Sequence, residues 1–226
     1  MPMFPLAEVA FVAVSLAIFA YFTGLRKSLS NAGIIFGLLV GVAVFILGGL
    51  DSYVVLLGFY VIAELATGYA RKKTGERHEK RSTSNIIGNS AAALIALAFG
   101  QRLAFFGALA AALSDTVSGE IGLLSRKKPV LITSLMEVDS GTDGGITALG
   151  ILAGAFAAAL MGAIYYFTTY IPVEAGIIII CGIVGMLVDS ILGDLFERRG
   201  MMNNTQVNFI ASLCGAATAI LLQFMF

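Results

Sequence analysis

The stretch RKKTGERHEKR, Arg71–Arg81, packs six of the chain's fourteen lysines and arginines into eleven residues. On either side the chain turns apolar. Ser52–Ala70 precedes it with Glu64 as its sole charged residue, and Asn85–Phe99 follows with none. Basic residues at the ends of membrane spans stay on the cytoplasmic side, so this loop marks one face. The remaining basic residues follow the same rhythm. Arg26 and Lys27 come after Pro5–Thr23, Arg126, Lys127 and Lys128 after Leu103–Leu124, and Arg198 and Arg199 after Glu174–Phe196. Thirteen of fourteen thus fall in every second connection, and Arg102 alone lies opposite. With Gly33–Leu50, Gly145–Phe167 and Val207–Phe226, the pattern predicts eight spans and both termini outside. Met1–Glu8 carries no basic residue, which argues against a cleaved signal peptide and agrees with an outside N-terminus.

Most of these segments approach the ~20 residues that cross a bilayer. Asn85–Phe99 is the shortest, and a re-entrant segment there would reduce the count to seven. The expectation is an all-α polytopic bundle forming a single transmembrane domain over residues 1–226, in the cell membrane. Composition agrees: 58% hydrophobic, 12% charged and a mean hydropathy of +0.93, against about a quarter charged in soluble domains. A net charge of zero leaves no electrostatic footprint for nucleic acid. Cys181 and Cys214 lie in apolar segments without metal-ligand spacing and read as packing residues. Gly33, Gly37 and Gly41 form a small-residue face that serves either a homodimer or, in the favoured reading, close packing inside one bundle.

Ionisable residues inside spans are costly and mark functional sites. Counted from the nearest basic residue, Glu64, Asn89, Asp115, Asp189 and Asn208 fall roughly 10–16 Å below the cytoplasmic rim, at 1.5 Å rise per residue. Five polar side chains on five segments at one depth suggest a shared site. Carboxylates at one level repel unless a cation lies between them, and hard oxygen ligands suit Mg²⁺. Asp115 has Ser118, Gly119 and Gly122 on its face, and Asp189 is flanked by Gly182, Gly185 and Gly193. Glu120 and Asp194 each follow five residues later, placed to extend a metal site toward the mouth or to stay solvated. The competing reading is hydrogen bonding that only fixes the bundle.

The connection after Leu124 reads Arg126-Lys127-Lys128-Pro129 and later Ser140-Gly141-Thr142-Asp143-Gly144-Gly145. Glycines at a helix start let backbone N–H groups converge on an anion, with Lys128 adding charge. Asn203, Asn204 and Asn208 supply neutral groups for a phosphate or a base. His78 sits in a basic loop whose charge anionic lipid explains, and it receives no catalytic role.

Four ordered motifs carry a resemblance. Ser114-Asp115-Thr116-x-Ser118-x-Glu120-x-Gly122, Gly141-Thr142-x-Gly144-Gly145, Asp189-Ser190-x-Leu192-Gly193 and Asn203-Asn204-x-x-Val207-Asn208 together resemble a polytopic membrane family, long of unknown function, that contains the plant phytyl-phosphate kinase. Asn89 matches an Asn of the family's fourth helix, while Asp143 and Met186 depart from its pattern. The Asp115-x-x-Ser118-x-x-x-Gly122 helix is distantly similar to CTP-dependent dolichol and phytol kinases. The resemblance implies a CTP-dependent, Mg²⁺-assisted kinase acting on a polyisoprenyl monophosphate at the cytoplasmic face. Asp115, Asp189 and Lys128 would be catalytic. Asn89, Ser118, Glu120, Gly122, Gly141, Thr142, Gly144, Gly145, Asn203, Asn204 and Asn208 would bind nucleotide. Asp115, Asp189, Glu120 and Asp194 would hold the metal. A nucleotidyl transferase making a CDP-lipid and a cation-coupled transporter are the alternatives.

Overall fold

The computed structural model describes residues 4–26, 29–75 and 83–225. Lys27, Arg77, His78, Lys80 and Arg81 of the basic pattern lie outside the described residues. The described residues form seven helices: α1 (Leu6–Arg26), α2 (Asn31–Thr74), α3 (Thr83–Ala98), α4 (Arg102–Gly122), α5 (Ala148–Thr169), α6 (Pro172–Leu192) and α7 (Asn204–Gln223). A two-residue pair of strands, β1 (Val130–Leu131) and β2 (Gly145–Ile146), lies between α4 and α5. α6 continues into a π turn over Gly193–Glu197. This is the expected all-α membrane bundle.

α2 is 44 residues long and breaks at Gly49, whose φ of 73° and ψ of −171° suit glycine and few other residues. An unbroken helix would set Gly41 and Tyr53 about 18 Å apart. Instead a Cβ on Gly41 would lie 3.6 Å from the Tyr53 ring, and the Phe45 and Tyr53 rings meet edge to face at 6.4 Å. The chain therefore folds back at Gly49 into two helical arms, which restores the eight apolar segments read from the sequence. α1, α2, α5, α6 with its π turn, and α7 are long and apolar enough to cross a membrane. The apolar part of α3, Ile86–Ala98, is shorter.

α4 is the axis of the bundle. It packs against α2, α3, α5, α6 and α7, and almost every residue from Leu103 to Val117 is buried. Lipid tails are as apolar as these side chains, so close packing rather than the hydrophobic effect holds such helices together. Small residues permit it: a Cβ on Gly185 would meet Ala111 at 2.1 Å, and one on Gly107 would meet the Gly215 carbonyl at 2.8 Å. The stripe Gly33, Gly37, Gly41 works the same way within the chain. Ile86 covers Gly33, the Phe19 ring lies over Gly37, and Leu16 lies over Gly41.

Candidate functional site

Asp115 on α4 and Asp189 on α6 face each other with their carboxyl groups within hydrogen-bonding reach. Oδ2 of Asp189 is buried without a hydrogen-bond partner. Asp143, from the α4–α5 loop, and Glu197, from the π turn, add negative charge around the pair. Like charges in a low-dielectric interior repel, and a cation between them relieves this. Among the described residues no group of three acidic, histidine or cysteine side chains forms a ready-made metal cage. Mg²⁺ seldom uses one, being held by one or two carboxylates together with substrate phosphates. The Asp115–Asp189 pair, with its unpartnered oxygen, fits that mode of binding.

Beside Asp115 opens a cavity of about 540 Å³, bounded by α1, both arms of α2, α3, α4 and α7. Glu64, Asn89, Asp115 and Asn208 all line it. Four of the five side chains placed at one depth by residue counting thus share one cavity, and the fifth, Asp189, approaches Asp115. Glu64 pairs with Arg26 at 3.9 Å. Glu120, also on the wall, accepts from the Thr67 hydroxyl at 2.8 Å.

The glycine loop departs from its expected form. α5 begins at Ala148, not Gly145, because Thr147 adopts an extended conformation and caps the helix, accepting from the Gly150 N–H at 3.0 Å. Gly144 and Gly145 therefore stand outside the first helical turn. Gly145 pairs with Leu131 across the two strands, and its N–H donates to the Thr142 carbonyl at 3.0 Å. Gly144, at φ 75°, rests on the π turn, where a Cβ would come within 2.3 Å of the Asp194 nitrogen. Thr142 donates its hydroxyl to the Asp139 carbonyl. Gly141 also has positive φ, 85°, and Lys128 is exposed near the loop's start.

Over residues 13–216 the chain matches the family described as integral membrane protein DUF92. The chain belongs to that family. An uncharacterized membrane protein of Methanocaldococcus jannaschii is 36% identical over 210 residues, covering 87% of this chain and 86% of the relative. Protein VTE6, chloroplastic, of Arabidopsis thaliana is 31% identical over 225 residues, with 88% of this chain and 66% of that protein covered. An uncharacterized membrane protein of Synechocystis is 27% identical over 215 residues, covering 86% and 83%. No solved structure matches. The DUF92 chain is thus a multi-pass membrane protein.

Within this DUF92 bundle the motif residues divide by task. Asp194 stands apart from the carboxyl pair. Its Oδ2 accepts from the backbone N–H and the hydroxyl of Thr133, and its Oδ1 accepts from Arg198 at 2.8 Å. It ties the loop to α6 with its oxygens engaged, which argues against a metal role. Glu197, unmarked in the sequence reading, faces the pair instead, held by the Asn204 side chain. The Arg198 N–H reaches back to the Gly193 carbonyl at 3.0 Å, and this wide π turn rotates the residues beyond it. Asn203 caps α7 in a reciprocal box with Gln206, so its side chain serves the helix. Asn208 donates to Asn204 at 3.2 Å while its own oxygen is buried without a partner.

Ser118 and Gly122 face α5, near Gly154 and Thr147, whereas Gly119 lines the cavity. Met186 fills the hollow that Gly154 leaves. Arg71 is a charged cavity residue that the sequence reading did not assign to the site. It lines the wall with a buried Nε–H that has no partner. Its signal was there: it lies seven residues after Glu64, two turns along the same face.

Proposed function

We propose that this chain is a membrane-embedded isoprenoid-phosphate kinase, transferring the γ-phosphoryl of CTP to a polyisoprenyl monophosphate. The observation that carries the reading is the Asp115–Asp189 pair at the edge of a cavity that is apolar along most of its length. The family resemblance to the plant phytyl-phosphate kinase supplies the reaction class, and the distant similarity to dolichol and phytol kinases supplies CTP.

An oxygen of the acceptor phosphate attacks the γ-phosphorus. The bond from that phosphorus to the β–γ bridging oxygen breaks, and CDP leaves with the electron pair. A prenyl diphosphate remains. The acceptor phosphate is already ionised near neutral pH, so no strong base is needed. Such transfer depends on positioning and charge stabilisation more than on covalent help. Asp115 and Asp189 would hold Mg²⁺, which when bound neutralises charge on the phosphates. Asp143 and Glu197 border the same place and discourage anions from approaching without the metal. Lys128 and the Gly141–Gly145 loop meet the nucleotide from the water side. The charge pattern supports a cytoplasmic location for that side.

The test uses purified protein in nanodiscs with Mg²⁺, α-labelled CTP, and phytyl or geranylgeranyl monophosphate. Labelled CDP together with prenyl diphosphate is the expected result. Pyrophosphate with a CDP-lipid would replace the kinase by a nucleotidyl transferase. Absence of both turnover and nucleotide binding would leave a transporter.

A further inference from the structure

We propose that the cavity beside Asp115 is the acceptor site: a single-chain isoprenyl monophosphate lies there with its phosphate on Arg71 and its tail running between α1 and the arms of α2 toward Tyr53. This rests on the kinase reading for the identity of the lipid, while the site itself stands on the geometry of the cavity.

The cavity wall mixes two characters. Glu64, Arg71, Asn89, Asp115, Glu120 and Asn208 line it as polar groups, whereas Leu16, Phe19, Val40 and Leu56 are apolar. On the second arm of α2, Tyr53, Leu57, Tyr60, Glu64 and Arg71 all face it. Their spacings of four, three, four and seven form one helical stripe, so the cavity runs along the helix. Eighteen residues from Tyr53 to Arg71 correspond to about 27 Å, nearly the ~30 Å of a bilayer's hydrocarbon core.

A cavity of about 540 Å³ whose wall follows this stripe suits an extended apolar tail with one polar head. The partnerless Nε–H of Arg71 is costly to bury and is suited to a phosphate oxygen. Arg26 is already engaged with Glu64, which leaves Arg71 to receive the anion. Asp115, which approaches Asp189, lines the same cavity as Arg71. Tyr53 is closely packed: it is 2% exposed, its hydroxyl meets the Ser15 hydroxyl at 2.6 Å, and Phe11 and Phe45 brace its ring. Tyr53 would therefore limit tail length.

The experiment measures binding of labelled geranylgeranyl monophosphate to the full chain in nanodiscs, without nucleotide. Arg71→Gln should weaken it by about tenfold or more, and Arg71→Lys by less, since lysine keeps the charge without the fork. Binding of geranylgeraniol, which has no phosphate, should be equal in all three proteins. Phosphatidic acid should not compete. A diazirine at the tail terminus should crosslink to the peptide bearing Tyr53, and Tyr53→Ala should shift preference toward hexaprenyl monophosphate. Unchanged affinity in folded Arg71→Gln, crosslinks on α5 or α6, or full competition by phosphatidic acid would overturn the assignment. Mg²⁺–CTP binding, measured on the same samples, separates the two claims. Lipid held at Arg71 without any nucleotide binding sinks the kinase and keeps the site, while normal turnover by Arg71→Gln sinks the site and keeps the kinase.

Discussion

A Cβ on Gly144 would stand 2.3 Å from the backbone nitrogen of Asp194, so the α4–α5 loop and the π turn fit together only because position 144 has no side chain. The clash is with backbone, which cannot swing aside. The positive φ adds a strain of about 1–3 kcal/mol for a non-glycine residue. Gly144→Ala should lift the loop, open it to limited proteolysis, and reduce turnover by displacing Asp143. Wild-type protease resistance in Gly144→Ala would show that the loop does not depend on this seat.

The carboxyl pair gives a second prediction. Asp115→Asn and Asp189→Asn should each reduce turnover by well over tenfold, a loss above ~1.4 kcal/mol, and weaken Mn²⁺ binding followed by paramagnetic resonance. Both variants should insert and melt like the wild type, since amide and carboxyl have the same shape. A variant that retains more than about a tenth of the rate is not altered at a metal ligand.

Asp194 and Glu197 should separate cleanly. Asp194→Ala strips Thr133 and Arg198 of their shared acceptor and should lower Tm by about 5 °C or more, with Mn²⁺ affinity of the folded fraction unchanged. Glu197→Gln should leave Tm near wild type and alter the metal dependence of turnover. The reverse pattern would exchange the two roles.

Orientation is the fourth. With Cys181 and Cys214 replaced, a cysteine at Ser140 should label from the cytoplasmic side and one at Gln101 from the opposite side, because thirteen of fourteen basic residues fall in every second connection. Labelling of both from one side would break the eight-span topology.

Much of this was legible because a membrane helix converts residue number into depth. Counting from basic residues brought Glu64, Asn89, Asp115 and Asn208 to one level, and the cavity contains all four. The count could not say which way a side chain points once the helical period changes. The π turn after Leu192 leaves no periodic mark in the sequence, so the reading from sequence includes Asp194 and has no signal for Glu197. Two-residue strands are too short to alternate, so the β1–β2 pairing and the true start of α5 were hidden. Arg71 was obscured for another reason: in a run of basic residues, one whose guanidinium turns inward looks like its solvated neighbours.

The burial of α4 has a consequence for how this protein is made. A helix ringed by five others answers to volume rather than to oiliness, and α4 can carry Asp115 and Glu120 because in the finished molecule it barely meets lipid. The insertion machinery meets it earlier, when the ring has not closed, and a carboxylate at mid-helix then costs about 2.5–3.5 kcal/mol. The segment that carries Asp115 is therefore one that a bilayer accepts reluctantly by itself. Its biogenesis depends on neighbours that arrive before and after it on the ribosome.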